Sequence, residues 1–215
     1  MRVKIMVLVV VVLLGVMGFL YKDVLLGMAS DLGILSSNQT QNDEIDLPLP
    51  QPTQASQVPQ NTCDSNNISE CIKQANELVV ANKPIDGIKL LFTHCENKNA
   101  QSCEAIADIY GTSLKDSTMS LAYNKRACDL GGLSGCYALG VKYYRGDGVN
   151  KDVKRSFVLF KQTCDSGKIE GCNNLAVIYN NAEGVKRDVK LAKSLFKKAC
   201  DSGYKPSCEN LAKIK

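Results

Sequence analysis

Three regimes of hydrophobic patterning follow one another along the chain. An unbroken apolar run, Ile5 to Tyr21, stands behind Arg2 and Lys4 and is closed by Lys22 and Asp23. Residues 31–62 show no apolar periodicity. From Cys63 onward the pattern becomes helical and repeats. Cysteines fall at 63 and 71, 95 and 103, 128 and 136, 164 and 172, 200 and 208. Counted from the second cysteine of each pair, the fourth residue is small: Ala75, Ala107, Gly140, Ala176, Ala212. The third is Ile106, Leu139, Leu175 or Leu211, and the seventh Leu78, Tyr110, Tyr143 or Tyr179. Offsets of three, four and seven share one helix face, so a first helix follows each pair. A second helix leads into the next pair. Eight residues before its cysteine stands Gly87, Ser120, Ser156 or Ala192; four or five before it come Leu90-Leu91, Tyr123, Leu159-Phe160 and Leu195-Phe196. The small residues predict close helix–helix approach.

The joints repeat as well. Gly146 to Asp152 aligns with Ala182 to Asp188, and the aspartate of each is placed to cap the following helix. Gly131, Gly167 and Gly203 follow the first cysteine of their pairs by three residues, where a left-handed residue ends a helix. Each cysteine pair therefore spans a turn between antiparallel helices, within reach of a disulfide. The expected pairing is Cys63–Cys71, Cys95–Cys103, Cys128–Cys136, Cys164–Cys172 and Cys200–Cys208. Each bridge closes a short loop worth about 2.5 kcal/mol in the chain-entropy account. The rival use of these cysteines is metal binding, which favours C-x-x-C spacings or mixed Cys and His sets. The spacing of eight and the single histidine argue against it, and no metal is expected.

A period of 32 to 36 residues is the mark of a helical-hairpin repeat. Leu139-Gly140 with Tyr143, Gly146 to Asp152, and Lys198-Ala199 before a turn resemble the Sel-one-like repeat, a relative of the tetratricopeptide repeat. The cysteine pair in every unit is similar to the Hcp-type cysteine-rich secreted proteins. The resemblance covers about residues 63–215. It implies an all-α, right-handed solenoid of about four antiparallel hairpins with a C-terminal capping helix, Ser207 to Ile214. The first two units lack the Gly-x-Gly-Val joint, so their loops should differ. The resemblance implies an adaptor, assembly or immunity-type factor that binds a protein or peptide. Its Hcp branch implies, as the alternative, a beta-lactam hydrolase or penicillin-binding protein.

Composition narrows the chemistry. One His and no Trp in 215 residues exclude an H-E-x-x-H metal site within the chain. The net charge of +4 is too mild to argue for nucleic acid. Ser194-Leu195-Phe196-Lys197 fits the S-x-x-K of serine beta-lactamases, but S-D-N, K-T-G and G-x-S-x-G are absent. His94 takes the register of Ala127, Thr163 and Ala199, at a helix end where an imidazolium suits the dipole. No catalytic residue and no cofactor is expected. Binding remains. The faces of the first helices opposite the packing stripe carry Glu104 and Asp108, Tyr137 and Tyr144, then Asn173, Asn174 and Asn180. Tyr offers contact area at low entropy cost and Asn bonds backbone amides, so these seven are the candidate peptide contacts; a merely solvated face is the other reading. Three of 26 basic and five of 22 acidic residues precede Cys63, leaving the repeat region at +6, a mild pull on acidic partners or anionic membrane.

The N-terminal third decides the address. Residues 1–30 read as a signal anchor or a signal peptide; the 17-residue run is long for the latter and short for a span. Residues 31–62 hold four of the six prolines, six Gln and no Lys or Arg, the composition of a disordered linker. The expected location is exported: anchored in the inner membrane and facing the periplasm, or soluble there or secreted if cleaved. The expected assembly is a monomeric repeat domain touching the membrane through its N-terminal segment. Fractionation tests this: an uncleaved anchor keeps the domain in the membrane pellet, whereas a mature N-terminus at Ser30 shows cleavage.

Overall fold

The computed structural model describes Cys63 and residues 67–214, and these are all-helical. The expectations for residues 1–30 and 31–62 lie outside the described residues. Helices run α1 Ile68–Val80, α2 Pro84–Glu96, α3 Ala100–Asp108, α4 Ser117–Asp129, α5 Leu133–Arg145, α6 Val153–Asp165, α7 Ile169–Asn181, α8 Val189–Asp201 and α9 Lys205–Lys213. Each packs on the helix before it and the helix after it. The result is a solenoid of four hairpins closed by α9, which starts two residues ahead of the expected capping helix.

Local chemistry starts and stops these helices where the repeat puts them. Asp116, Asp152 and Asp188 accept from the N–H three residues on, at 2.9, 3.0 and 2.8 Å. Asn99 does the same for Ser102 at 2.8 Å. Such caps contribute about 1 kcal/mol each. Gly131, Gly167 and Gly203 take φ of 84°, 90° and 87° and end α4, α6 and α8. The first two joints differ from the later ones, as their sequences require. Asn82, at φ 60°, turns α1 into α2. After α3 the chain continues as a π-helical turn, Ile109–Ser113, before Lys115 reverses it at φ 55°.

The hairpins close on the small residues. Ala75, Ala107, Ala176 and Ala192 are fully buried. A methyl group on Gly87 would stand 2.8 Å from the Ala75 carbonyl oxygen, and one on Gly140 would stand 2.8 Å from the Phe160 ring. Ala212, the equivalent position on α9, is exposed, and among the described residues no later helix packs on it. Four disulfides cross the turns between helices and a fifth, Cys63–Cys71, ties the segment ahead of α1 to that helix, with Cα–Cα distances of 4.4 to 5.3 Å. Arg126 ties neighbouring units: its Nη2 lies 3.0 Å from Glu96 and also reaches the Cys95 carbonyl. Tyr123 is fully buried and stacks on Tyr110, and burial pushes its phenol up to about 12.

The third and fourth joints have one backbone and two residues. Gly146 closes α5 at φ 77°; Ala182 closes α7 at φ 58°. A Cβ in the left-handed region costs roughly 1–2 kcal/mol. Ala182→Gly should therefore stabilise the domain, by about 0.5–1 kcal/mol after the entropy of the added glycine is subtracted. Urea unfolding of the oxidised domain measures it, and a lower midpoint would contradict the strain.

Candidate functional site

Stacking α3, α5 and α7 side by side leaves a groove of about 490 Å³. Its floor is aromatic. Phe160, on α6, reaches between the hairpin helices; the Tyr137 and Tyr144 rings lie 5.9 and 6.4 Å from it. Gly140 sits between those tyrosines on α5 and lets Phe160 approach this closely. Both phenols are fixed by the next unit. Asn174 Nδ2 donates to the Tyr137 hydroxyl at 3.3 Å, and the Tyr144 hydroxyl donates to Glu183 at 3.0 Å. Lys168 and Lys151 lie over the two rings at 5.4 and 5.2 Å from their centres. Burial raises the pKa of both phenols, so they stay neutral hydrogen-bonding groups.

Charge sits at the edges. Lys142 is almost wholly buried, and its Nζ donates to Asp147 at 3.0 Å. Hydrogen bonds from Ser117 and then Lys142 hold Asp147 below its ordinary value. The neighbouring Gly148 packs on the start of α4, where an added methyl would meet the Ser117 carbonyl at 2.6 Å. Asp108, at the rim, is pushed above the ordinary Asp value, first by the packing around its carboxyl and then by Glu104. Arg145 is exposed in the same wall.

Of the seven candidate contacts, Asp108, Tyr137, Tyr144 and Asn174 line this groove. The other three lie elsewhere. Glu104 accepts the N–H of Gly135 at 2.8 Å and so holds the start of α5. Asn173 is buried and accepts from Ser207 at 2.8 Å and Asn210 at 3.2 Å, fastening α9 to α7. Asn180 borders a smaller depression of about 180 Å³ beside α9, and its carbonyl accepts from Arg187 at 2.9 Å. Helix periodicity marks a face but not how far round the face a neighbour extends. It also missed contributions from the second helices, Ser120 and Asn124 on α4 and Phe160 on α6. Ser194 and Lys197 stand on the exposed face of α8, with Lys197 paired to Asp201 at 2.7 Å.

A family model for the Sel1 repeat matches residues 133–168 and 169–204. Residues 133–204 carry two Sel1 repeats. The two matched spans are the hairpins α5–α6 and α7–α8, each with its following turn; α1–α2 repeats their packing on a shorter joint, and α3–α4 on one that contains the π-helical turn. A 41-residue stretch is 49% identical to HcpC of Helicobacter pylori, a protein whose name assigns it provisionally to the beta-lactamases. That stretch is 19% of this chain and 14% of HcpC. Among solved structures, a Sel1 repeat protein from Oxalobacter formigenes superposes with a TM-score of 0.54 at 23% identity, over 61% of this chain and 53% of that one. The c5321 protein of uropathogenic Escherichia coli, a protective antigen with an SLR fold, superposes at 0.61 and 19% identity, over 68% of this chain and 33% of that one. These two likenesses concern the fold.

The two aspartates predict opposite pH behaviour. A raised folded pKa stabilises below the unfolded value and loses that contribution as pH rises through the folded pKa. Asp108→Asn should therefore raise stability near neutral pH, with the gain vanishing at about pH 3. Asp147 is lowered, so its contribution is present above the unfolded value and is lost as pH falls through the folded one. Asp147→Asn should cost stability near neutral pH. Urea midpoints of both variants at the two pH values check the signs.

Proposed function

We propose that the domain is a protein-interaction module working outside the cytoplasm, and that the groove over α3, α5 and α7 receives an extended peptide of its partner. The observation that carries this is the aromatic floor, Tyr137–Phe160–Tyr144, bordered by amides and cations. An apolar or aromatic partner side chain fits the floor. Asn124 and Asn174 suit backbone amides, and Arg145 and Lys168 suit acidic residues beside the anchor. The Sel1 repeats agree with this, since stacked helix pairs present extended concave binding surfaces.

Five disulfides point to an oxidising compartment, because reduced cytosolic pools do not preserve such bridges. Among the described residues no helix is long and apolar enough to cross a membrane. Attachment to the membrane would fall to the apolar run Ile5 to Tyr21, with the repeat domain on the periplasmic side. The adaptor, assembly or immunity role belongs to the same proposal.

The HcpC likeness supports a second reading, beta-lactam hydrolysis or penicillin binding. Ser194 and Lys197, the S-x-x-K pair weighed above, lie outside the groove on an exposed helix face. One set of proteins separates the readings. Tyr144→Ala, Asn174→Ala and Arg145→Glu should each weaken capture of an envelope partner by the oxidised domain, by about 1 kcal/mol or more at a hot spot. Ser194→Ala should leave capture unchanged. Circular dichroism confirms that each variant is folded. Nitrocefin turnover that disappears in folded Ser194→Ala would replace the binding reading with the enzymatic one.

A further inference from the structure

The fold brings the chain's one histidine to a cysteine pair other than its sequence neighbour. His94 precedes Cys95 in the last turn of α2, yet its imidazole meets the Cys63–Cys71 bridge. The ring nitrogen and the two Sγ atoms all lie within 4.8 Å of one another. Cys71 is buried, and Cys63 and His94 are half-buried. Two further features set this pair apart. Cys63 is the one cysteine outside a helix, so opening its bridge leaves every helix–helix turn closed. The positions equivalent to His94 in later units, Ala127, Thr163 and Ala199, offer no imidazole, and no other cluster of this kind occurs among the described residues.

We propose that Cys63, Cys71 and His94 form a redox-controlled site that takes up a thiophilic cation, Zn²⁺ or Cu⁺, once their bridge is reduced. Two thiolates and one imidazole are donors that both ions accept. Cu⁺ is satisfied by soft ligands in low coordination, and Zn²⁺ adds a water to complete a tetrahedron. While the bridge is closed the sulfurs are bonded to each other and the site cannot act as a thiolate pair. Opening needs a dithiol reductant. Its thiolate attacks one sulfur of the bridge, the S–S bond breaks, and a mixed disulfide forms. The reductant's second thiol displaces that intermediate. The reductant leaves as a disulfide, and the two cysteines gain two electrons and two protons in all. Cation binding releases both thiol protons to solvent. The α1–α2 contact through Ala75 and Gly87 does not depend on the bridge, so Cys71 on α1 and His94 on α2 keep their framework.

The test compares the full chain with the double variant Cys63→Ser, Cys71→Ser, which keeps the other four pairs. Both are treated with dithiothreitol, freed of it under anaerobic conditions, and titrated with Co²⁺ as a spectroscopic substitute for Zn²⁺, or with Cu⁺. The native chain should bind about one ion more than the double variant, with thiolate-to-cobalt charge-transfer absorption in the Co²⁺ arm. The untreated, oxidised chain should show none of this. His94→Gln and His94→Ala should weaken uptake by more than about tenfold, the scale seen for losing an outer-shell partner. Circular dichroism of the four chains confirms the fold, and chelator competition decides which cation is held more tightly. Equal uptake by the native chain and the double variant, or unchanged uptake in both folded His94 variants, would overturn the site. The groove is untouched by these substitutions, so this result is independent of partner binding.

Discussion

Contact between the two helices of each hairpin, at positions where only small side chains fit, sets everything else in the domain. Ala75 against Gly87, and Gly140 against Phe160, are approaches that an added methyl would block. A solenoid has no central core, and each unit can bury its apolar face only on its neighbours. The helix separation within a hairpin therefore fixes where the next hairpin can dock. Four of the bridges act at the other sites of vulnerability, the turns, where antiparallel helices could peel apart. Packing and cross-linking thus divide the length of each unit between them.

The groove follows from the same contact. Because residue 140 has no side chain, Phe160 penetrates to α5 and supplies the ring on which Tyr137 and Tyr144 rest. A position conspicuous in the sequence as a packing device thereby also shapes the surface opposite. The aromatic floor rests on a helix–helix crossing, not on loops, so its geometry is tied to the rigidity of the hairpin.

Residues that act locally were legible from the sequence. Asp152 and Asp188 cap the helices that follow them, and Gly131, Gly167 and Gly203 take left-handed backbones, because caps and turns depend on a few adjacent residues. The periodic small and apolar positions gave the hairpins for the same reason. Longer-range placements were harder. Glu104 and Asn173 carry polar side chains on the expected face, yet each is engaged across a unit boundary, by Gly135 and by Ser207 with Asn210. A repeat of the sequence does not say which polar residue will meet a partner one unit away. The π-helical turn after α3 and the meeting of His94 with Cys63–Cys71 have the same origin, since both occur in the irregular first units.

The attachment of α9 has a consequence for assembly. Stacked hairpins carry an inherent hazard: an end that looks like an interior unit can accept another molecule and grow into a fibre. At this end the joint to α7 is made by directional bonds, Ser207 and Asn210 to the buried Asn173. Beyond it α9 turns Lys205, Glu209, Ala212 and Lys213 outward, where an interior helix would show an apolar stripe. A second copy arriving there would have to strip water from charged groups, with Pro206 and Ala212 the exposed apolar side chains of α9. The charged outer face of α9 therefore disfavours the stacking of a second copy on this helix.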